Sequence, residues 1–342
     1  MVPAEPFLAT CGICAGPMAE TFTAREQHLG LGDAFHYAAC ADCGTVQLLD
    51  PPASFERYYP SGYYSYEVDT LAARIAAEPW RTRLARRWVG AALLRGGAAA
   101  RLARRWRPWL TQDFPAWLEG EGARLGLRRD ARVLDVGCGA GAHLLQLASY
   151  GFERLEGVDA FVAGDIHHPG GVFIRRGELS AVTGRFDLVM FHHSLEHMPE
   201  PMTALRAAHR LLAPGGRLLV RIPVLGEAWR RYREDWVQLD APRHRFLFPR
   251  EAFLRAAAGA GFEPLSVRCD SGAFQFWGSE QYRLGIALNS PRSWQRDPLA
   301  SPFSPAQVRA WAAQAEQLNA ALEGDQACFL LRRRADGEGD DA

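Results

Sequence analysis

The sequence predicts an α/β protein: seven strands in a mostly parallel sheet, the last antiparallel, with helices on both faces. Three observations predict it. From Arg132 onward, short apolar runs alternate with helical segments, the pattern of a parallel sheet. A glycine-rich loop joins the first run directly to an apolar helix. Ahead of both lies a glycine- and turn-rich region with two CxxC pairs, the spacing of a small metal-binding module.

The runs are RVLDV, LEGVD, GVFIR, FDLVMF, GRLLVRI, PLSVR and CFLLR, each of strand length and rich in branched residues. Composition divides the chain of 342 residues into a four-cysteine module (1–50), a tyrosine-rich connector with Arg/Trp-rich helices (51–129), and the sheet domain (130–334). Insertions near 225–249 and 271–325 are expected to cap the domain. An acidic, glycine-rich tail (335–342) is expected to be disordered. In the connector helices Leu84, Trp88 and Ala92 recur at helical spacing, and with Trp80 and Trp106 they read as the packed face.

Basic and acidic residues balance at 39 each, and every basic residue is arginine. The overall charge therefore demands neither nucleic acid nor a membrane. No basic patch followed by an apolar core and cleavage site opens the chain, so the expected location is the cytoplasm.

Cys11, Cys14, Cys40 and Cys43 form the two CxxC pairs. Two such knuckles supply the four thiolates of a closed tetrahedral site, which suits structural zinc and leaves no open position for chemistry. In a reducing compartment this reading is preferred to disulfides. His28 and His36, between the pairs, are not needed as ligands.

The segment VLDVGCGAGAHLL carries most of the functional argument. Gly137, Gly139 and Gly141 let the backbone turn tightly and approach a ligand where a Cβ would clash. The helix that follows offers unpaired N–H groups to a polar ligand group. Eighteen residues beyond Gly141, Asp159 ends the next strand, where a carboxylate can accept ribose hydroxyls. The spacing GCGAG lacks the third glycine of a dinucleotide fingerprint, so a single nucleoside fits better.

LDVGCGAG, GVD, FDLVMFHHSLEHMPEP and LLAPGGRLLVRIP, in that order, resemble the motifs of class I S-adenosylmethionine-dependent methyltransferases, in particular the ubiquinone-type and sugar-modifying branches. The resemblance covers residues 132–223. It implies that Gly137, Gly139 and Gly141 line the methionine part of S-adenosylmethionine and that Asp159 binds its ribose. Asp135 joins the cofactor-binding set, and Glu178 takes a position where an acidic residue meets adenine. A zinc module followed by a run such as PSGYYSY resembles bacterial enzymes acting on nucleotide sugars, which makes Tyr63 and Tyr64 candidates for reaching cofactor or substrate.

Four histidines are candidate general bases. His192, His193 and His197 sit with Glu196 at the carboxyl end of the fourth strand, where open α/β sheets bind ligands. Strand alternation turns one of His192 and His193 away from the site. Glu196 and His197 could instead hold a divalent cation, as the ubiquinone-type resemblance suggests. His244, with Asp240 and Arg243, belongs to the capping insertion, where PRHR also reads as a surface turn. The stretch from Phe274 to Tyr282, including Phe276, Trp277, Glu280 and Gln281, offers an aromatic and polar surface to a flat or sugar-like acceptor, or simply core.

The expected activity is methyl transfer to an oxygen or carbon of a small, sugar-containing molecule: a sugar nucleotide, surface-glycan or natural-product intermediate. Two alternatives compete. Ten arginines against the single acid Glu78 between Arg74 and Arg107 could grip RNA, although the zinc module has only Arg25 before Arg57. The same cationic helices could sit on a membrane surface. A non-catalytic binding protein of the same fold is the remaining class, and an intact glycine loop argues against it.

Overall fold

A computed structural model describes residues 10–59 and 68–334. Tyr63, Tyr64 and the 335–342 tail lie outside the described residues. The N-terminal region supplies β1 (Met18–Arg25), β2 (Ala34–Cys40) and β3 (Val46–Leu48). The large sheet is built from β4 (Arg132–Val136), β5 (Arg154–Asp159), β6 (Ile166–His168), β7 (Val172–Arg176), β8 (Phe186–His192) and β9 (Leu212–Pro223). The capping insertion contributes β10 (Phe246–Leu247), and the large sheet is completed by β11 (Phe262–Cys269) and β12 (Gln326–Arg333).

The large sheet has the order β11-β12-β9-β8-β4-β5-β7-β6. Its strand count is eight, not the expected seven. The extra strand is the short β6, which folds back antiparallel on β7 through the Gly170–Gly171 turn, both glycines having φ near +80°. A three-residue strand, Ile166-His167-His168, gives no apolar run for sequence analysis to detect. The other sequence-predicted strands form, and β12 runs antiparallel to both its neighbours. The direction of strand order reverses at β4, the switch point where ligands bind beyond the carboxyl ends of the strands.

The core has one layer on each face of this sheet. One face packs Phe191, Val220, Phe253, Phe262 and Phe329; the other packs Leu144, Leu145, Leu147, Met190 and Leu330 with the connector helices. The buried part of β4, Val133 to Val136, is apolar except for Asp135, which is 1% exposed.

The packed face of the connector helices differs from expectation. In the helix Trp80–Arg95 the buried residues are Arg86, Val89, Gly90 and Leu93, while Trp80, Leu84 and Trp88 are exposed; in Gly97–Trp106 only Ala100 is buried and Trp106 is exposed. Two interactions outweigh the apolar spacing. Buried Arg86 is paired with Glu78 (2.6 Å) and Asp113 (3.3 Å) and reaches Tyr150. Gly90 lets the Tyr150 ring approach to where a Cβ would stand 3.0 Å from it.

The N-terminal strands do not close on themselves. β3 pairs antiparallel with β10, making the sheet β1-β2-β3-β10. Phe35, Tyr37, Leu48 and Tyr58 share a core with Trp229, Trp236, Leu247 and Phe276 from the two insertions. The module is thereby fastened to the segment that carries His244.

Candidate functional site

The glycine loop takes its shape from conformation and crowding together. Gly137, Gly139 and Gly141 have φ of +72°, +54° and +85°, which L side chains resist. A Cβ at Gly137 would stand 2.5 Å from Ser194 Cβ, and one at Gly141 2.7 Å from Ile174 Cδ1. Ser194, just after β8, donates its hydroxyl to the Val136 carbonyl (2.6 Å), tying the carboxyl ends of β4 and β8 together.

Asp159 ends β5 beside the loop. The Gly139 N–H donates to one carboxylate oxygen and the Phe161 N–H to the other, both at 2.8 Å. Each oxygen keeps a lone pair for another donor. Asp135 is different: neither oxygen has a hydrogen-bond partner. Burial, with Asp159 nearby, raises its carboxyl to about 8. A buried carboxyl without a partner is costly, and a cationic ligand group at the loop would satisfy it. Glu178, the other sequence candidate, is exposed after β7 and makes no described contact with the loop.

The four histidine candidates separate into three situations. His192 points away from the cavity, its ring 3.9 Å from that of His143 and 5.6 Å from Trp117. Its Nε2 has no partner, and burial holds it well below the ordinary imidazole value. His193, at φ +52°, turns the other way, is hydrogen-bonded at Nε2 and has Nδ1 beside Glu196. Arg221 donates to its Nε2 at 2.7 Å, so its proton sits on Nδ1, 3.3 Å from Glu196. Arg221 is itself held by Asp270 at 2.7 Å.

His197 and His244 form the third situation, with ring centroids 4.7 Å apart. His197 Nδ1 donates to the Arg243 carbonyl (2.9 Å), and His244 Nδ1 to the Gln238 carbonyl (2.7 Å). Both tautomers are thus set with the proton on Nδ1 and an open Nε2 lone pair. Burial, reinforced by His197, lowers His244 to about 4.

Glu196 is the centre of this group and is fully buried. Burial would raise its carboxyl, but His193, His197 and His244 outweigh it and hold the group below its ordinary value. Neither oxygen completes an aligned hydrogen bond. Ligand-type atoms of Glu196, His197 and His244 all lie within 4.8 Å of one another.

These groups open on a cavity of about 390 Å³ lined by His28, His193, His197, Asp240, His244 and Trp277, among others. Asp240 is paired with Arg243 and stands 3.7 Å from both His28 and His244. Burial would raise its carboxyl; Arg243, His244 and His28 pull it well below the usual range. PRHR is therefore no surface turn: Arg243 is 2% exposed and His244 6%. The stretch Phe274–Arg283 is a helix from which Phe274 and Trp277 reach the cavity. Phe276 is core, Glu280 binds Arg231 and Tyr232, and Gln281 is buried against Ser293.

Sequence reasoning missed two residues here. His28 comes from the N-terminal module, where only its spacing from the cysteines drew notice. Its carbonyl accepts from the Asn289 N–H (2.8 Å), which fastens it beside the cavity. Tyr59, in the tyrosine-rich connector, stacks on Phe161 and places its hydroxyl 3.3 Å from His197. The aromatic run was the only signal for it.

At the far end of the module the four cysteine sulfurs also gather within 4.8 Å. Cys11 and Cys43 sulfurs are 3.6 Å apart and those of Cys14 and Cys40 3.5 Å. These separations are far beyond a disulfide's ~2.05 Å. They approach the ~3.8 Å edge of a tetrahedron with sulfur about 2.3 Å from its centre. Burial would raise the Cys40 thiol, but N–H groups of Cys43 and Asp42 and the neighbouring cysteines bring it to about 7.

The sheet order places the glycine loop at the switch point of a Rossmann-like domain. Its family follows from comparison with known proteins. Residues 100–267 match the family model described as a methyltransferase domain. A ubiquinone biosynthesis O-methyltransferase of Xanthomonas oryzae pv. oryzae (strain PXO99A) is 36% identical over 120 residues, 31% of this chain and 48% of that protein. One from Pseudomonas aeruginosa (strain UCBPP-PA14) is 32% identical over 100 residues, 26% of this chain and 43% of that protein. The chain spans about half the length of the curated relatives it matches. Among solved structures, an S-adenosylmethionine-dependent methyltransferase from Mesorhizobium loti aligns with a TM-score of 0.39 and 18% identity, covering 62% of this chain and 97% of that one. Residues 100–267 of this chain thus match a methyltransferase domain, on an α/β sheet of the class I type.

The depressed His244 has a consequence for stability. It is neutral when folded down to about pH 4, whereas in the unfolded chain it takes a proton below about pH 6.5. Its contribution is complete above about pH 6.5 and is lost as pH falls toward 4. Urea unfolding of wild type and His244→Gln from pH 7 to pH 4.5 should give a wild-type curve steeper by up to ~1.4 kcal/mol per pH unit. Parallel curves would show that His244 is not held neutral by burial.

Proposed function

We propose that this protein transfers a methyl group from S-adenosylmethionine to an oxygen or carbon of a small molecule bound in the cavity at Glu196, His197 and His244. The observation that carries the reading is the adjacency of the glycine loop, with its unpartnered Asp135, to this histidine group through the Ser194–Val136 hydrogen bond. When bound, the cofactor supplies an electrophilic methyl group. The glycine-loop backbone and Asp159 would hold its nucleoside part, and Asp135 would face its cationic part. Glu178 and Tyr64 stay in the proposed cofactor set on the resemblance alone.

His197 is the best-placed base. Its Nδ1 proton is fixed by the Arg243 carbonyl, which leaves Nε2 to accept a proton from the acceptor. The buried Glu196 carboxylate stabilises the imidazolium that forms. His193 is occupied by Arg221 and positions Glu196; His192 lies outside the cavity; His244 resists charging because it is buried.

The cavity suits a small acceptor, with Phe274 and Trp277 as flat surfaces and Gln238, Gln295 and Gln326 as polar contacts. That mixture supports a sugar-containing molecule such as a sugar nucleotide, surface-glycan or natural-product intermediate. The relatives' names support O-methylation. The second reading, a divalent cation held by Glu196, His197 and His244, is favoured by the two open Nε2 atoms beside an unsatisfied carboxylate. It would acidify an acceptor hydroxyl instead.

Labelled methyl transfer to a panel of sugar nucleotides and phenolic acceptors tests the reading. His197→Gln should lower the rate about 100-fold or more while leaving cofactor affinity unchanged. An unaltered rate would remove His197 as base. Recovery of chelator-treated, zinc-replete enzyme by magnesium would select the cation reading.

We further infer that Cys11, Cys14, Cys40 and Cys43 hold a structural zinc ion, on the four converging sulfurs. Cys40→Ser should lower both zinc content by elemental analysis and the thermal midpoint. A metal-free variant as stable as wild type would refute a structural role.

A further inference from the structure

The helices Trp80–Arg95 and Gly97–Trp106 are joined at Gly96, whose φ of +68° turns the chain between them. Their inward residues are few, and their outward ones are unusual. Trp88 is 72% exposed, Trp80 and Trp106 66%, and Leu84, Leu102 and Trp109 are also exposed. In the first helix Trp80, Leu84 and Trp88 follow at i, i+4, i+8 and make one stripe; Leu102 and Trp106 repeat the i, i+4 spacing in the second. A single exposed tryptophan needs no explanation, but an aligned set of apolar side chains on adjacent helices does.

Within the two helices themselves every charge is basic. Between Trp80 and Leu110 there is no acidic residue. Arg86, Arg87 and Arg104 are matched by Glu78 and Asp113, Glu153 and Glu119. Arg81, Arg95, Arg101 and Arg105 are exposed and form no salt bridge among the described residues. By helical geometry Arg81 and Arg95 flank the Trp80–Leu84–Trp88 stripe, and the Arg81 guanidinium lies 5.4 Å from the Trp80 ring.

We propose that residues 80–109 dock the protein on the surface of an anionic lipid bilayer. The tryptophans and leucines would enter the headgroup region, where amphipathic indole rings are favoured, and the four unpaired arginines would meet lipid phosphates. No helix among the described residues is long and apolar enough to cross a membrane, so this contact is peripheral. A second copy of the chain seated on the same patch would set arginine against arginine. RNA would find phosphate partners and indole planes for stacking, but exposed Leu84 and Leu102 beside them gain nothing from a stacked strand and are accommodated by a lipid headgroup region.

The test is co-sedimentation of the full, zinc-loaded chain with vesicles of phosphatidylglycerol and phosphatidylcholine in equal parts, and with phosphatidylcholine alone. Wild type should bind the anionic vesicles, bind neutral ones at least about tenfold more weakly, and release at high salt. Both the triple variant Trp80→Ala/Trp88→Ala/Trp106→Ala and the quadruple variant Arg81→Gln/Arg95→Gln/Arg101→Gln/Arg105→Gln should lose about tenfold or more in vesicle binding. Thermal midpoints near wild type would show that these exposed changes leave the fold intact. Failure to bind anionic vesicles, or equal binding by a folded triple variant, would overturn the proposal. So would a wild-type dimer that dissociates in the triple variant, or single-stranded RNA binding lost in both variants without vesicle binding.

Discussion

The site is organised around one buried charge. Glu196 is fully buried, and an isolated carboxylate in that position would cost several kcal/mol. Three imidazoles from two regions surround it: His193 and His197 from the end of β8, and His244 from the capping insertion. His244 stays there because β10 pairs with β3, and the Arg245 N–H donates to the Glu196 carbonyl at 2.8 Å. The Tyr37 hydroxyl of the N-terminal module adds a bond to the His244 carbonyl at 2.9 Å. The surroundings of the Glu196 carboxylate are therefore fixed through the insertion by the cysteine module.

That arrangement gives the module a role beyond its own stability. It contributes His28 to the cavity and part of the core beneath the insertion. A zinc ion holding Cys11, Cys14, Cys40 and Cys43 would order the loops at the ends of β2 and before β1, and through β3 the strand that carries the cavity's far side. The module and the catalytic domain share one packed interface, so metal loss and loss of cavity shape are coupled on this account.

Much of the fold was legible because its signals are local. The loop glycines and the apolar runs each encode a conformation within a few residues and adopt it, and the CxxC pairs bring their four sulfurs together. What escaped is long-range. His28 has no local signature as a cavity residue, because Asp240 and Asn289 lie more than two hundred positions away. β6 is too short and polar to announce itself. The connector helices were read by apolar spacing, yet buried Arg86, satisfied by Glu78 and Asp113, turned Trp80 and Trp88 outward. Strand alternation separated His192 from His193 correctly in principle, but only the Arg221–Asp270 pair shows which of them is engaged at the cavity and why it is no free base.

The central claim is that the glycine loop, Asp135 and Asp159 form a working cofactor site. Calorimetric titration of folded, zinc-replete protein with S-adenosylmethionine and S-adenosylhomocysteine tests it most directly. The account predicts saturable binding of both, with the demethylated product bound at least as well as the cofactor. No binding of either by such protein would contradict the account.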